Sequence, residues 1–113
     1  IAWWSNENNT YAYIPDSTGG DPTGGYISQC TVDTETGLFV PDSCIIALNA
    51  IVNPIDIFVA EINNQSYAYF TSRDPGTVYQ CAIEEKTGNF SVCYDFSTAP
   101  DGFAPARGLT FLP

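Results

Sequence analysis

One stretch of sequence occurs twice in this chain, and the repetition constrains the fold more than any other feature. The first copy covers residues 25–39 and the second covers residues 76–90, at an offset of 51 residues. Both copies fit the pattern G-[YT]-[IV]-x-Q-C-x-[VI]-[DE]-x-x-T-G-x-F, and a further cysteine follows each. A unit that recurs in this way predicts a protein built from two equivalent structural repeats.

Each copy has the pattern of a β-hairpin. Residues 26–32 and 77–83 are rich in β-branched and aromatic residues, and their apolar side chains recur at alternate positions. An acidic residue and a Thr-Gly pair follow, which predicts a turn whose glycine, Gly37 or Gly88, has a positive φ. The return strands are predicted at 38–46, with a proline at a bulge or edge, and at 89–96.

The four cysteines are placed alike about the two turn glycines. In each copy the first cysteine lies seven residues before the glycine, and the second lies seven or five residues after it. A chain that folds back at the glycine brings these positions opposite each other, close enough for a disulfide. Of the three possible pairings, the repeat predicts Cys30–Cys44 and Cys81–Cys93. Four buried free thiols are the alternative.

Further strands flank both hairpins. The segment YAYI at 11–14 recurs as YAYF at 67–70, and helical periodicity is absent throughout. We therefore predict an all-β fold made of two four-stranded antiparallel meanders, each like a propeller blade.

The domain organisation follows from the same offset. We expect a single domain, with repeat one at about 1–52 and repeat two at about 53–103. Pro105 repeats Pro54 at the offset of 51 residues, so residues 104–113 are expected to begin a third repeat and to form an extra C-terminal strand.

The repeats resemble those of the YVTN (lactonase-like) β-propellers. The resemblance rests on the YAYI and YAYF segments, each followed by a turn and a Val/Ile-rich strand, and it covers nearly the whole chain. It is greatest to the secreted bacterial type, which carries a cysteine pair across the outer hairpin of each blade. The resemblance implies a blade fold for each repeat and no activity. Those propellers usually have about seven blades, so a chain with two repeats cannot close such a ring alone.

The chain is strongly acidic. Thirteen acidic residues stand against three basic ones, Arg73, Lys86 and Arg107, which gives a net charge of −10. Such a surface repels phosphate backbones and anionic lipids, so nucleic-acid and membrane partners are disfavoured. The most apolar run, 45–52, is too short to insert into a membrane.

The cysteines also indicate a compartment. Paired cysteines predict an oxidising, extracellular environment and a secreted protein. The chain starts at Ile1 and contains no methionine, which we expect of a processed secreted protein or of a segment of a longer chain.

Catalytic chemistry is largely excluded by composition. Histidine is absent, which excludes Ser-His-Asp and Cys-His catalysis and histidine-ligated metals, and the disulfides would consume the thiols. The carboxylate pairs Asp33/Glu35 and Glu84/Glu85 could in principle do acid–base work, but they lie on predicted exposed turns, where we expect them to be solvated turn residues. We therefore expect neither an enzyme nor a cofactor.

One loop has residues suited to a hard cation. Asp16 and Asp21 lie in a Gly/Thr-rich segment and are candidates for calcium ligands. The spacing is neither that of an EF-hand nor that of a nonapeptide repeat, so we expect no metal site.

Carbohydrate is the remaining candidate ligand or modification. Three N-x-S/T sequons, at Asn8, Asn64 and Asn89, are candidate glycosylation sites, and the first two precede equivalent strands. We expect both of those side chains to be exposed. Trp3 and Trp4 could form a sugar-stacking platform. The alternative places one tryptophan in the core and the other over a sheet edge.

Three functions are consistent with these observations. The favoured one is a non-enzymatic extracellular structural protein, glycosylated and self-assembling as a filament or ring through β-strand pairing between subunits. Its motivation is the strand at 104–112, which has no predicted partner in its own chain. The second is a lectin-like propeller module formed by oligomerisation. The third, a lactonase-like enzyme, lacks candidate catalytic side chains.

Overall fold

The structure is a computed structural model and describes residues 1–17, 24–51, 54–72 and 77–95. These residues form β-strands and no helix, so none of them belongs to a helix that could cross a membrane. The strands are β1 (Ala2–Ser5), β2 (Thr10–Asp16), β3 (Gly25–Val32), β4 (Ile45–Ile51), β5 (Pro54–Ile62), β6 (Gln65–Ser72), β7 (Thr77–Ile83) and β8 (Phe90–Asp95).

The strands form two antiparallel meanders in sequence order. Sheet one has the order β1-β2-β3-β4 and sheet two the order β5-β6-β7-β8. The predicted all-β fold of two four-stranded repeats is therefore confirmed. The predicted C-terminal strand at 104–113 lies outside the described residues.

Each sheet has two distinct faces, because side chains alternate along a strand. We call one the tyrosine face, since it carries both tyrosines of the Tyr-Ala-Tyr segment. The opposite one is the cysteine face, which carries the alanine between them and the first cysteine of the repeat. The register supports this division, because Tyr13 pairs with Gln29 and Ala12 pairs with Cys30. In sheet two, Ala68 pairs with Cys81 in the same way.

The core lies where the tyrosine face of sheet one packs on the cysteine face of sheet two. Buried residues from both sheets form one cluster there. Its members are Ala2, Trp4, Tyr11, Tyr13, Ile27, Ile51, Ile57, Ala68, Phe70, Cys81 and Ile83. The sheets therefore meet through unlike faces, as successive units of a linear repeat do.

The two predicted disulfides are present. Cys30 is joined to Cys44 and Cys81 to Cys93, each within its own hairpin. In both bridges the Cα atoms are 4.0 Å apart. The pairing is the one that the spacing about Gly37 predicts, and no free cysteine is left.

The return strand of the first hairpin differs from the prediction. The sequence predicts it over residues 38–46, but β4 begins only at Ile45. Pro41 and Asp42 form a turn instead, and Asp42 has a φ of 60°. Proline has no N–H to give to a ladder, so the strand cannot run through it. The hydroxyl of Ser43 accepts the N–H of Thr31 at 3.0 Å and replaces the missing ladder bond.

Candidate functional site

The turns after β3 and β7 have the same backbone conformation. The N–H of Gly37 donates to the carbonyl of Asp33 at 2.7 Å, and the N–H of Gly88 donates to that of Glu84 at 2.8 Å. Both glycines have a φ of 75°, in the left-handed region that favours glycine. The positive φ predicted from the Thr-Gly pairs is therefore confirmed.

The turn of sheet two docks onto the tyrosine face of sheet one. The hydroxyl of Tyr13 donates to the carbonyl of Gly88. The side-chain amide of Gln29 donates to the carbonyl of Thr87 at 3.1 Å. A Cβ atom at Gly88 would lie 2.7 Å from the ring of Tyr11, which is too close for a real contact. Glycine is thus required here both by its φ and by the approach of an aromatic ring.

The loop between β1 and β2 holds the same turn from a second side. The side-chain amide of Asn6 donates to the carbonyls of Glu85 and Lys86 at 3.0 and 3.2 Å. Its oxygen accepts the backbone N–H groups of Asn8 and Asn9 at 2.9 and 2.7 Å, which fixes the loop. An open polar groove of about 520 Å³ lies beside these contacts, lined by Asn6, Glu7, Asn8, Glu85 and Lys86.

Tyr13 joins the two sheets by polar and apolar contacts. Burial, and after it the neighbouring Tyr11, raises the pKa of Tyr13 well above its ordinary value. The phenol therefore stays protonated at neutral pH and remains a hydrogen-bond donor. Its ring also stacks on that of Phe90, with 5.1 Å between centroids.

The equivalent turn of sheet one is not docked. Gly37 is exposed, and among the described residues, its two chain neighbours apart, no atom lies within 4 Å of the place where its Cβ would be. Gly88 is buried in the same backbone conformation. One sequence motif is therefore present in a docked copy and in an exposed copy.

The tyrosine face of sheet two is half-buried, whereas that of sheet one is buried. Tyr67, Tyr69 and Gln80 are the counterparts of Tyr11, Tyr13 and Gln29, and each is only half-buried. The amide of Gln80 donates to the hydroxyl of Tyr69 at 2.9 Å. Phe58 stacks on Tyr69 at 5.3 Å between centroids.

The cysteine face of sheet one presents exposed apolar side chains. Ile1, Trp3 and Phe39 are 57%, 53% and 45% exposed. Ile57, the counterpart of Ile1 in sheet two, is 3% exposed because it lies in the core between the sheets. The middle of the same face is already buried in the single chain; the residues there are Ala12, Cys30 and Val32. Exposed apolar side chains around such a centre are typical of an interaction surface.

The two tryptophans have different environments. Trp4 is buried and stacks on Tyr11, with 6.0 Å between ring centroids. Trp3 points to the opposite face of β1 and is exposed. The two rings therefore do not form one platform, and only Trp3 presents its indole to solvent.

The three sequons all lie at the surface. Asn8 is in the loop before β2, Asn64 is in the turn before β6, and Asn89 follows a turn glycine. All three side chains are exposed, as expected for Asn8 and Asn64. Asn64 also has a positive φ of 65°, a conformation that asparagine tolerates better than most residues.

The acidic residues singled out above are placed in turns and at a strand end. Asp33 accepts the N–H of Glu35 at 2.9 Å, and Glu84 accepts the hydroxyl of Thr87 at 3.2 Å. These carboxylates therefore stabilise the two turns. Glu85 is exposed beside them.

The calcium candidates are not brought together in the part of the chain that the structure describes. Asp16 is exposed and accepts the hydroxyl of Tyr26 at 3.0 Å; this hydrogen bond, together with the charge of Asp16, raises the pKa of Tyr26. Asp21 lies outside the described residues. Within those residues no group of three acidic or cysteine side chains could hold a metal ion.

The docked turn was not anticipated from the sequence, although its parts are in the repeat. Both copies contain the Thr-Gly pair, the glutamine before the first cysteine and the Tyr-Ala-Tyr segment. These shared residues signalled equivalent hairpins, but not that one hairpin's turn binds the other's tyrosines. Comparisons with protein families, with characterised proteins and with solved structures find no match. The resemblance to YVTN repeats therefore stays a prediction.

Proposed function

We propose that this protein is a non-enzymatic extracellular structural protein that self-assembles through β-strand pairing between subunits. The observation that carries the proposal is the unequal length of the first strands of the two sheets. β1 has four residues, whereas its counterpart β5 has nine.

The short first strand leaves part of β2 without a neighbour among the described residues. β1 pairs with residues 10–13 of β2, where Ala2 lies opposite Tyr13. β5 pairs with β6 as far as Pro54 opposite Ser72. The part of β6 that pairs with the start of β5 corresponds to residues 14–16 of β2 in sheet one. An open strand edge presents backbone donors and acceptors that another strand can satisfy.

The segment 104–112 of a neighbouring subunit is the proposed occupant. Pro105 repeats Pro54, so the register of sheet two would place it opposite Asp16. Because β1 already pairs with residues 10–13 of β2, this register leaves residues 105–108 to pair with the open edge.

Several features support an extracellular setting. The two disulfides suggest an oxidising environment. The three exposed sequons offer sites where glycans would not disturb the core. A separate feature bears on the enzymatic alternative: because the chain has no histidine, it cannot form a Ser-His-Asp triad.

Deletion of residues 104–113 tests the strand pairing. The native chain should form assemblies by size-exclusion chromatography with light scattering, and the deletion variant should remain a folded, disulfide-bonded monomer. A chain in which a Gly/Ser-rich segment of equal length replaces 104–113 is the matched control, and it should also be monomeric. Normal assembly of either variant would show that strand pairing by this segment is wrong.

A lectin-like module is the second candidate, and the exposed indole of Trp3 is the observation that favours it. Aromatic faces suit the apolar faces of sugars. Binding of the native chain to a glycan array, lost in Trp3→Ala and kept in Trp4→Phe, would support this function. An array without any bound glycan would contradict it.

A further inference from the structure

We infer that the tyrosine face of sheet two binds the Gly37 turn and the cysteine face of a second copy of this chain. The inference rests on the proposed self-assembly and specifies the surfaces that meet. Its basis is that one chain already contains such a contact, because the tyrosine face of sheet one binds the Gly88 turn and the cysteine face of sheet two.

The acceptor side repeats the residues of the internal contact. Tyr11 and Gln29 contact the docked turn in sheet one, and sheet two has Tyr67 and Gln80 at the equivalent positions. The register is also the same, since Tyr69 pairs with Gln80 as Tyr13 pairs with Gln29. The half-burial of these side chains in sheet two leaves surface for a further contact.

The donor side repeats the turn that docks. Gly37 and Gly88 have the same φ, and in both turns the threonine hydroxyl before the glycine accepts the N–H of the residue after it. The described part of the chain leaves the space beside Gly37 open, which is what the ring of Tyr67 needs if it is to approach as Tyr11 approaches Gly88.

The polar groups of the acceptor can change partners on docking. In sheet two the amide of Gln80 donates to the hydroxyl of Tyr69. In sheet one the equivalent groups donate to the carbonyls of the docked turn. Binding would replace this bond by two bonds, to the carbonyls of Gly37 and Thr36 of the second copy. The hydroxyl and the amide N–H stay paired in either state. The amide oxygen does not, because Oε1 of Gln29 in the internal contact is buried with no hydrogen-bond partner among the described residues.

Apolar contacts extend the same interface. Phe90 stacks on Tyr13 in the internal contact. Its counterpart Phe39 is exposed on sheet one, together with Trp3. The Phe39 and Trp3 side chains of the second copy would lie over Tyr69 of the first copy, which removes exposed apolar surface from both partners.

The contact between copies should be weaker than the internal one. Asn6 holds the Gly88 turn, but sheet two has the two-residue turn Asn63-Asn64 in place of that loop. Lys86 in the docked turn is replaced by Glu35 in the exposed turn. With a charge of −10 on each copy, the approach is also opposed by repulsion that salt screens. Reversible association that strengthens with salt is expected.

The contact is head-to-tail, so it can propagate. A donor surface on one sheet and an acceptor surface on the other produce a ring if the rotation closes and a filament if it does not.

Two variants block the two sides separately. Gly37→Asn keeps a residue that tolerates positive φ and fills space that is empty in the monomer, but it would meet the ring of Tyr67 in the contact. Tyr67→Glu puts a charge on the half-buried acceptor face. Asp42→Asn is the matched control, because it introduces the same residue at another exposed position of positive φ.

Sedimentation velocity reports the outcome. Each blocking variant alone should associate at least about tenfold more weakly than the native chain, while the Asp42→Asn control assembles normally. An equimolar mixture of the two variants should form a discrete dimer, since the acceptor of one meets the intact turn of the other and both ends are then blocked. Unfolding transitions like that of the native chain would show that both variants are folded.

Failure of this inference differs from failure of the proposed function. If the native chain assembles and both variants assemble equally well, the stacking contact is wrong while self-assembly stands. Two monomeric variants that form no dimer on mixing also contradict the contact. If the native chain is monomeric at every concentration, self-assembly itself is wrong.

Discussion

At the scale of single residues, the two turn glycines differ in the reasons why glycine is required. Gly37 and Gly88 share a φ of 75° and a hydrogen-bonding pattern, but in the described part of the chain only Gly88 has an aromatic ring beside it. Any substitution must therefore adopt the left-handed conformation at both sites. At Gly88 it must in addition displace Tyr11 or the turn. The chain thus provides its own control for the energy of docking.

Substitution of each glycine by alanine should give unequal losses of stability. Gly37→Ala should lower the free energy of unfolding by about 1–2 kcal/mol, the cost of a left-handed L-residue. Gly88→Ala should lose that amount and a further ~1–3 kcal/mol from overpacking against Tyr11. Denaturant unfolding with intact disulfides measures both. Equal losses would show that the ring contact contributes nothing.

The raised pKa of Tyr13 predicts a loss of folding stability at alkaline pH. Its folded-state pKa is raised, first by burial, from an ordinary value of 10.0. The folded state therefore disfavours the phenolate. The stability contributed by the neutral phenol is complete below about pH 10 and declines as the pH rises above that value.

The variant Tyr13→Phe tests this dependence. It should lose about 1 kcal/mol at neutral pH with the hydrogen bond to Gly88, yet decline less between neutral pH and about pH 11. Tyr79, whose pKa is also raised by burial and by Asp95, leaves a residual decline in both proteins. Parallel profiles of the free energy of unfolding against pH for the native chain and the variant would show that Tyr13 does not cause the decline.

At the scale of elements, the sequence predicted the hairpins because three local signals agree in each. Alternation, the Thr-Gly turn and the cysteine spacing all point to one register. The predicted start of β4 was wrong because the first hairpin has two more residues between its glycine and second cysteine. Those residues form the turn at Pro41 and Asp42, and the repeat offers no counterpart for comparison.

The packing of the sheets could not be predicted from the same signals. Alternation identifies which side chains share a face, but here both faces of a sheet are apolar. Tyr11 and Tyr13 lie on one face of β2, while Ala12 and Ile14 lie on the other. Which face meets the second sheet depends on contacts between distant residues, such as Tyr13 with Gly88. The candidate site was therefore missed, although every residue in it was visible in the repeat.

The two disulfides should stabilise their hairpins to a similar extent. They join residues 14 and 12 positions apart. In the chain-entropy model, loops of this size contribute roughly 3 kcal/mol each. Replacing Cys30 and Cys44, or Cys81 and Cys93, by alanine pairs should lower the free energy of unfolding by about that amount. Peptide mapping without reduction checks the pairing, and a fragment that links the two repeats through sulfur would contradict it.

At the scale of the whole molecule, the chain presents two surfaces that match because they are copies of surfaces already in contact. The cysteine face and Gly37 turn of sheet one correspond to those that sheet two buries, and the tyrosine face of sheet two corresponds to the one that sheet one buries. This correspondence is the basis of the proposed head-to-tail contact. The net charge of −10 opposes their association. The proposed assembly should therefore depend on ionic strength.

The mass of the native chain in solution, measured by sedimentation velocity over a range of concentrations at low and high salt, tests this account most directly. We predict species larger than a single 12.3 kDa polypeptide, whose mass increases with concentration and with salt. A single species of one chain at every concentration and both salt conditions would contradict it.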